Sequence, residues 1–169
     1  MNNSHEQGHL YEREIPSLES DARTCMSSDD VDEAIQHVIA TYARAQVAEL
    51  NYLRTLREAA QGMALDEIAT QLPGVSQSEL AKELAQAHKL APVPQGFSGA
   101  SPFELCQRYA IGELTETELI QQLSRWEYAT LPATKVPTIA TVPGSIQDLD
   151  RARRRRLISA ALYAKLTNS

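Results

Sequence analysis

Residues 64–87 read ALDEIATQLPGVSQSELAKELAQA, and this stretch decides the fold. Ile68, Ala69 and Leu72 fall at i, i+1 and i+4, one apolar face of a short helix. Pro73-Gly74 stops that helix, because Pro cannot donate to the ladder and Gly accepts left-handed backbone. Val75 is the residue a turn would bury. Ser76 is suited to cap a second helix, and Glu79 three residues on completes a capping box. Leu80 and Leu84 form the inner face of that helix, with Ala81 and Ala87 beside them. Ala69 is the small residue that lets two such helices cross closely.

Upstream, acids at Asp29 and Asp30 suit the first turn of a long helix. Val31, Ala34, Ile35, Val38, Ile39 and Tyr42 keep helical spacing, and the stripe runs on through Val47, Leu50, Leu53, Leu56 and Ala60. No Pro or Gly interrupts it before Gly62, so the expectation is a helix of about thirty residues, roughly 45 Å long. That length outreaches a small helix-turn-helix core. Val31, Ile35, Val38 and Tyr42 must then be covered by the C-terminal part of the chain or by a second copy, which makes a homodimer through the long helix an expectation. His37 reads as a surface or partly packed side chain, and His88 as a cap on the second motif helix.

The segment Asp66-Glu67-Ile68-Ala69, with Leu72, Gly74-Val75-Ser76 and Leu80, resembles the helix-turn-helix of bacterial transcriptional regulators, sigma-factor-like and antitoxin-like segments included. The resemblance covers about residues 31–90, with Pro73 interposed in the usual spacing. It implies DNA binding by the second helix, with Ser76, Gln77, Ser78, Ala81 and Lys82 facing the groove.

Charge is unevenly placed within the net −6. Residues 1–29 carry two Arg against six acids, net −4, and residues 30–98 five bases against nine acids, also −4. Residues 99–169 carry nine bases against seven acids, net +2. Such a chain does not coat nucleic acid nonspecifically. Two cysteines, Cys25 and Cys106, allow at most one disulfide, and reduced thiols in a cytoplasmic protein are the simpler expectation. The polar, acidic N-terminus does not read as a signal peptide, and no apolar run approaches a membrane span.

Residues 1–28 read as a disordered or loosely docked acidic tail. His5 and His9 are spaced for a metal only on a rigid helix, so no metal is expected, and Leu10, Tyr11, Ile15 and Leu18 could dock on a partner or on the body. Residues 91–100, rich in Pro and Gly, read as a linker between a domain at 29–90 and a module at 101–169. Ser101-Pro102 and Thr115-x-x-Glu118 open two helices, with Gly112 between them. Gly144-Ser145 and Ser159 open two more. The pairs align at an offset of about 44 residues: Ser101 with Ser145, Glu104 with Asp148, Leu105 with Leu149, Leu114 with Ile158, Thr115 with Ser159, and Leu119 with Tyr163. This reads as a repeated helical hairpin. The segment 128–143, with three Pro and almost no charge, should be extended, either packed on its own domain or offered as a docking strand. Arg151, Arg153, Arg154, Arg155 and Arg156 form the strongest charge cluster, suited to a phosphate or an acidic partner surface, or simply to a helix C-terminus.

No glycine-rich phosphate loop, zinc-ligand spacing or nucleophile turn occurs, so neither an enzyme nor a cofactor is expected. The expectation is an all-α fold: a long helix plus helix-turn-helix, then a helical-hairpin module with an extended Pro-containing segment. Two functions fit it. One is a DNA-binding transcriptional regulator or antitoxin-like repressor whose C-terminal module binds a partner. The other is a protein–protein interaction module, an adaptor, antitoxin or inhibitor, whose helix-turn-helix is only scaffold. The first is the leading expectation; the second, the alternative, draws support from the acidic body, from Glu79 and Glu83 on the second helix and from the apolar extended segment.

Overall fold

The computed structural model describes residues 27–129 and 144–168. The tail ahead of Ser27, with His5, His9 and Cys25, lies outside the described residues, as does 130–143 of the expected extended segment. The fold is all-α, with seven helices and no strand among the described residues.

The long helix α1, Ser28–Ala59, runs 32 residues, about 48 Å at 1.5 Å per residue. Ser27 caps it: its hydroxyl accepts from the Asp30 N–H and the Asp30 carboxylate accepts from the Ser27 N–H. The short helix α2, Leu65–Gln71, and α3, Gln77–Ala87, follow. Gly74 supplies the positive φ of the turn between them. Leu56 of α1, Ile68 of α2 and Leu80 of α3 form one small core, with Leu72, Val75 and Leu84 packed against it. The carbonyls at the end of α3 are tied by Arg57, whose Nη1 donates to Ala87 O and Leu90 O. That is the role expected of His88, whose side chain is exposed instead. Arg57 reaches it because α3 packs alongside the C-terminal half of α1.

The second, larger core joins Ala43 of α1 to four shorter helices: α4 Pro102–Ala110, α5 Glu116–Ser124, α6 Gln147–Arg154 and α7 Ala160–Thr167. The hairpin repeat is present in the backbone. Gly112 and Arg156, 44 residues apart, both take left-handed φ, 81° and 56°. Each follows a helix whose last carbonyls are closed the same way: Glu113 N–H to Arg108 O, and Leu157 N–H to Ala152 O. Leu105 and Leu149 are both fully buried. Thr115 and Ser159 both cap the second helix of their pair. Glu104 and Asp148 are both buried, and each accepts from the N–H four residues earlier, Ala100 and Gly144. Ser145 departs from its counterpart: Ser101 caps α4 through its hydroxyl, whereas the buried Ser145 hydroxyl finds no partner among the described residues.

The two cores are braced by one carboxylate. Glu104 accepts both Arg54 Nη1 and Nη2 at 2.7 Å, Arg108 Nη2 at 2.9 Å and the Ala100 N–H. Arg108 also binds Glu113 and Asn51. Burial pushes the Glu104 carboxyl up, but Arg54, Ala100 and Arg108 together outweigh it and hold it below the usual carboxylate range. Residues 96–99 pack on α5 and the turn after it: the Ser98 N–H donates to Gln122, Phe97 meets the Trp126 ring edge-on at 4.9 Å, and Gly99 lies against the Glu104 side chain.

Candidate functional site

Two surfaces carry the sequence-predicted residues, at opposite ends of α1. On α3, Ser76, Gln77, Ser78, Ala81 and Lys82 are all exposed. Ser76 is occupied as the cap: its N–H and hydroxyl donate to Glu79, and its Oγ lies 3.1 Å from Ser78 Oγ. Those bonds lower the Glu79 pKa. Glu83 turns inward and accepts the Tyr52 hydroxyl, whose pKa is pushed up to about 12 by that bond, burial and the carboxylate charge. Both acids on α3 therefore serve intramolecular bonds, and Lys82 is the one cation on the helix.

The arginine cluster lies beside the N-terminal half of α1, roughly 25 Å along the helix axis from α3. Most of its members have partners. Arg151 stacks on Phe103 at 3.5 Å and lies 3.7 Å from Asp148. Burial lowers its pKa, and burial raises that of Asp148. Arg153 stacks on Tyr163, whose hydroxyl donates to Asp150. Arg156 lies 3.7 Å from Asp32 of α1, both ends exposed. Arg154 and Arg155 are exposed, and Arg155 reaches over Phe103 at 5.7 Å.

Between α1 and α6 lies the feature that the periodicity of the long helix foreshadowed. Ile39 and Ala43 pack into the main core, and Val47 is buried. The adjacent face is bare: Val31 is 41%, Ile35 40%, Val38 65% and Tyr42 58% exposed. Single exposed apolar residues are ordinary, but four in line on one helix form a patch. A hollow of about 310 Å³, lined by Val38, Tyr42, Gln46, Arg155 and Leu157 among others, runs beside it. A broader groove of about 1110 Å³ opens on the other flank, between Asp32, Gln36 and Ala40 of α1 and Arg153, Arg156 and Ser159. Tyr42 is held in place although its ring is bare. Buried Gln107 donates to Gln46 Oε1 at 2.6 Å, and Gln46 Nε2 lies 3.2 Å from the Tyr42 hydroxyl. An exposed ring fixed in this way loses little freedom on docking.

Comparison with known proteins finds no matching family model, curated protein or solved structure. The site must be read from its own chemistry. Among the described residues no cluster of His, Cys, Asp and Glu could hold a metal, and no helix is long and apolar enough to cross a membrane. Cys106 is buried, and burial, then the Asp148 charge, pushes its thiol up to about 12, which disfavours the thiolate. The chain from Gln107 through Gln46 to Tyr42 was not foreseen, since its members are 61 residues apart or on an exposed face; only the apolar spacing of α1 signalled the surface.

Proposed function

We propose that this chain is a protein–protein interaction module whose contact surface is the bare face of α1, with Arg155 at its edge. The observation that carries the reading is the line of four exposed apolar side chains, Val31, Ile35, Val38 and Tyr42, with Tyr42 pinned by Gln46. Interfaces of this kind use an apolar centre with aromatic anchors and a polar, Arg-bearing rim. An adaptor, antitoxin or inhibitor fits that chemistry. The test is co-purification from the source cell at low and high salt, with and without nuclease. A partner retained at high salt, resistant to nuclease and lost with Val38→Asp is expected. A wild-type eluate identical to that of Val38→Asp would refute the reading.

The DNA-binding regulator or antitoxin-like repressor stands second. It is favoured by the solvent-facing set Gln77, Ser78, Ala81 and Lys82, and by the engagement of Glu79 and Glu83 within the fold. Against it stands the shortage of phosphate clamps: Lys82 is alone on α3, and Arg151, Arg153 and Arg156 are engaged elsewhere. Recovery of a specific DNA fragment, lost with Lys82→Glu and steeply weakened by salt, would place this reading first.

A further inference from the structure

We infer that the occupant of the bare α1 face is a second copy of this chain, paired antiparallel across a twofold axis between Gln36 and His37. The inference rests on the interaction reading and names its partner. The four exposed residues are spaced four, three and four apart, a pattern that reads the same in both directions. A twofold axis at its centre sets Val31 against the partner copy's Tyr42 and Ile35 against its Val38. An isologous interface needs this self-complementarity.

Charge chooses the orientation. Asp29, Asp30, Asp32 and Glu33 lie on the turns at the N-terminal end of the stripe, whereas exposed Arg155 lines the hollow beside Val38 and Tyr42 at its other end. Parallel pairing would bring eight carboxylates together at one end, with the exposed Arg156 of each copy, 3.7 Å from its own Asp32, offsetting part of that charge. Antiparallel pairing brings the acids of each copy towards Arg155 of the other, and aligns the helix dipoles favourably. Ala34, Thr41 and Ala45, all exposed on the same side of the stripe, let two helices approach closely. The four side chains offer roughly 350 Å² per copy, about 700 Å² for the pair, so the apolar centre alone falls short of the 1,200–2,000 Å² total of a standard interface and the self-association is a weak one.

Sedimentation equilibrium of the full chain up to about 200 µM reads the outcome directly. The expected result is a concentration-dependent rise from 18.7 kDa towards twice that mass. Val38→Asp should raise the dissociation constant by at least about tenfold with an unchanged far-UV circular dichroism spectrum, since Val38 already faces solvent. Arg155→Glu should weaken pairing about two- to fivefold, and Asp30→Arg in the same chain should restore it. In a Cys25→Ser background, an equal mixture of Ile35→Cys and Val38→Cys chains should form a disulfide faster than either chain alone. A wild type that stays monomeric, or a Val38→Asp chain that dimerises undiminished, overturns the inference. Preferential self-linking of Ile35→Cys overturns the antiparallel pairing. A monomeric wild type that still retains a different protein through Val38 would leave the interaction reading standing and remove only the second copy as its partner.

Discussion

Replacing Glu104 by Gln keeps the shape of the brace between the two cores and removes its charge. In the wild type that carboxylate is 3% exposed and accepts both ends of Arg54, together with Arg108 and the Ala100 N–H. Breaking a buried ion pair from one side costs about 3–5 kcal/mol, because the remaining charge stays desolvated. The Arg54 and Arg108 side chains keep 11% and 12% exposure, so the lower end, about 3 kcal/mol, is expected. For a chain of this size that lowers Tm by about 6–12 °C. The pH dependence is a second signature. The folded pKa of Glu104 lies below its unfolded value, near 4.3. Its stabilisation is therefore complete above that value and is lost as pH falls through the folded pKa. Urea unfolding of both proteins should show a constant gap above about pH 5 that narrows below about pH 4. A loss under about 1 kcal/mol at neutral pH, or a gap that does not narrow in acid, would refute the brace.

The repeat supplies a contrast, since Asp148 occupies the position of Glu104 in the second hairpin but burial raises its pKa. Its charged form opposes folding above the unfolded pKa, so Asp148→Asn, which still accepts from Gly144, should change neutral-pH stability by less than about 1 kcal/mol in urea unfolding, or raise it. Arg156 holds left-handed backbone where the first hairpin has Gly112, so Arg156→Gly should raise stability by about 0.5–1 kcal/mol, visible as a higher Tm; the exposed pair with Asp32 offsets little of this. A Cβ at Gly99 would meet Glu104 Cγ and Cδ at 3.1 Å, so Gly99→Ala should cost about 1–2 kcal/mol in the same assay.

Much of the fold was legible because it is written locally. The capping boxes at Ser76–Glu79 and Thr115–Glu118, the Pro at the start of α4 and the unbroken stripe of α1 each sit within a few residues of the element they create. The hairpin repeat was legible through Ser101, Glu104, Leu105 and Thr115, although not the reason for it at Arg156, where an ordinary residue takes the conformation Gly112 adopts freely. What escaped the sequence depends on side chains meeting from afar. Arg54 and Glu104 are 50 residues apart, and neither position betrays burial. The arginine run read either as a contact for phosphate or an acidic partner or as a plain helix end, and neither reading foresaw that Phe103 and Tyr163 lie under several of its members. Which apolar residues of α1 would stay bare could not be told from periodicity alone, because Ile39 and Val38 look alike until the hairpins take one face.

The measurement that tests the interaction surface most directly is amide hydrogen exchange on the full chain, at low and high protein concentration, with and without duplex DNA. Slower exchange confined to residues 31–46 as concentration rises, with residues 77–87 indifferent to DNA, is the predicted result. Protection of 77–87 by DNA, with 31–46 unchanged at every concentration, would contradict the account and return the function to α3.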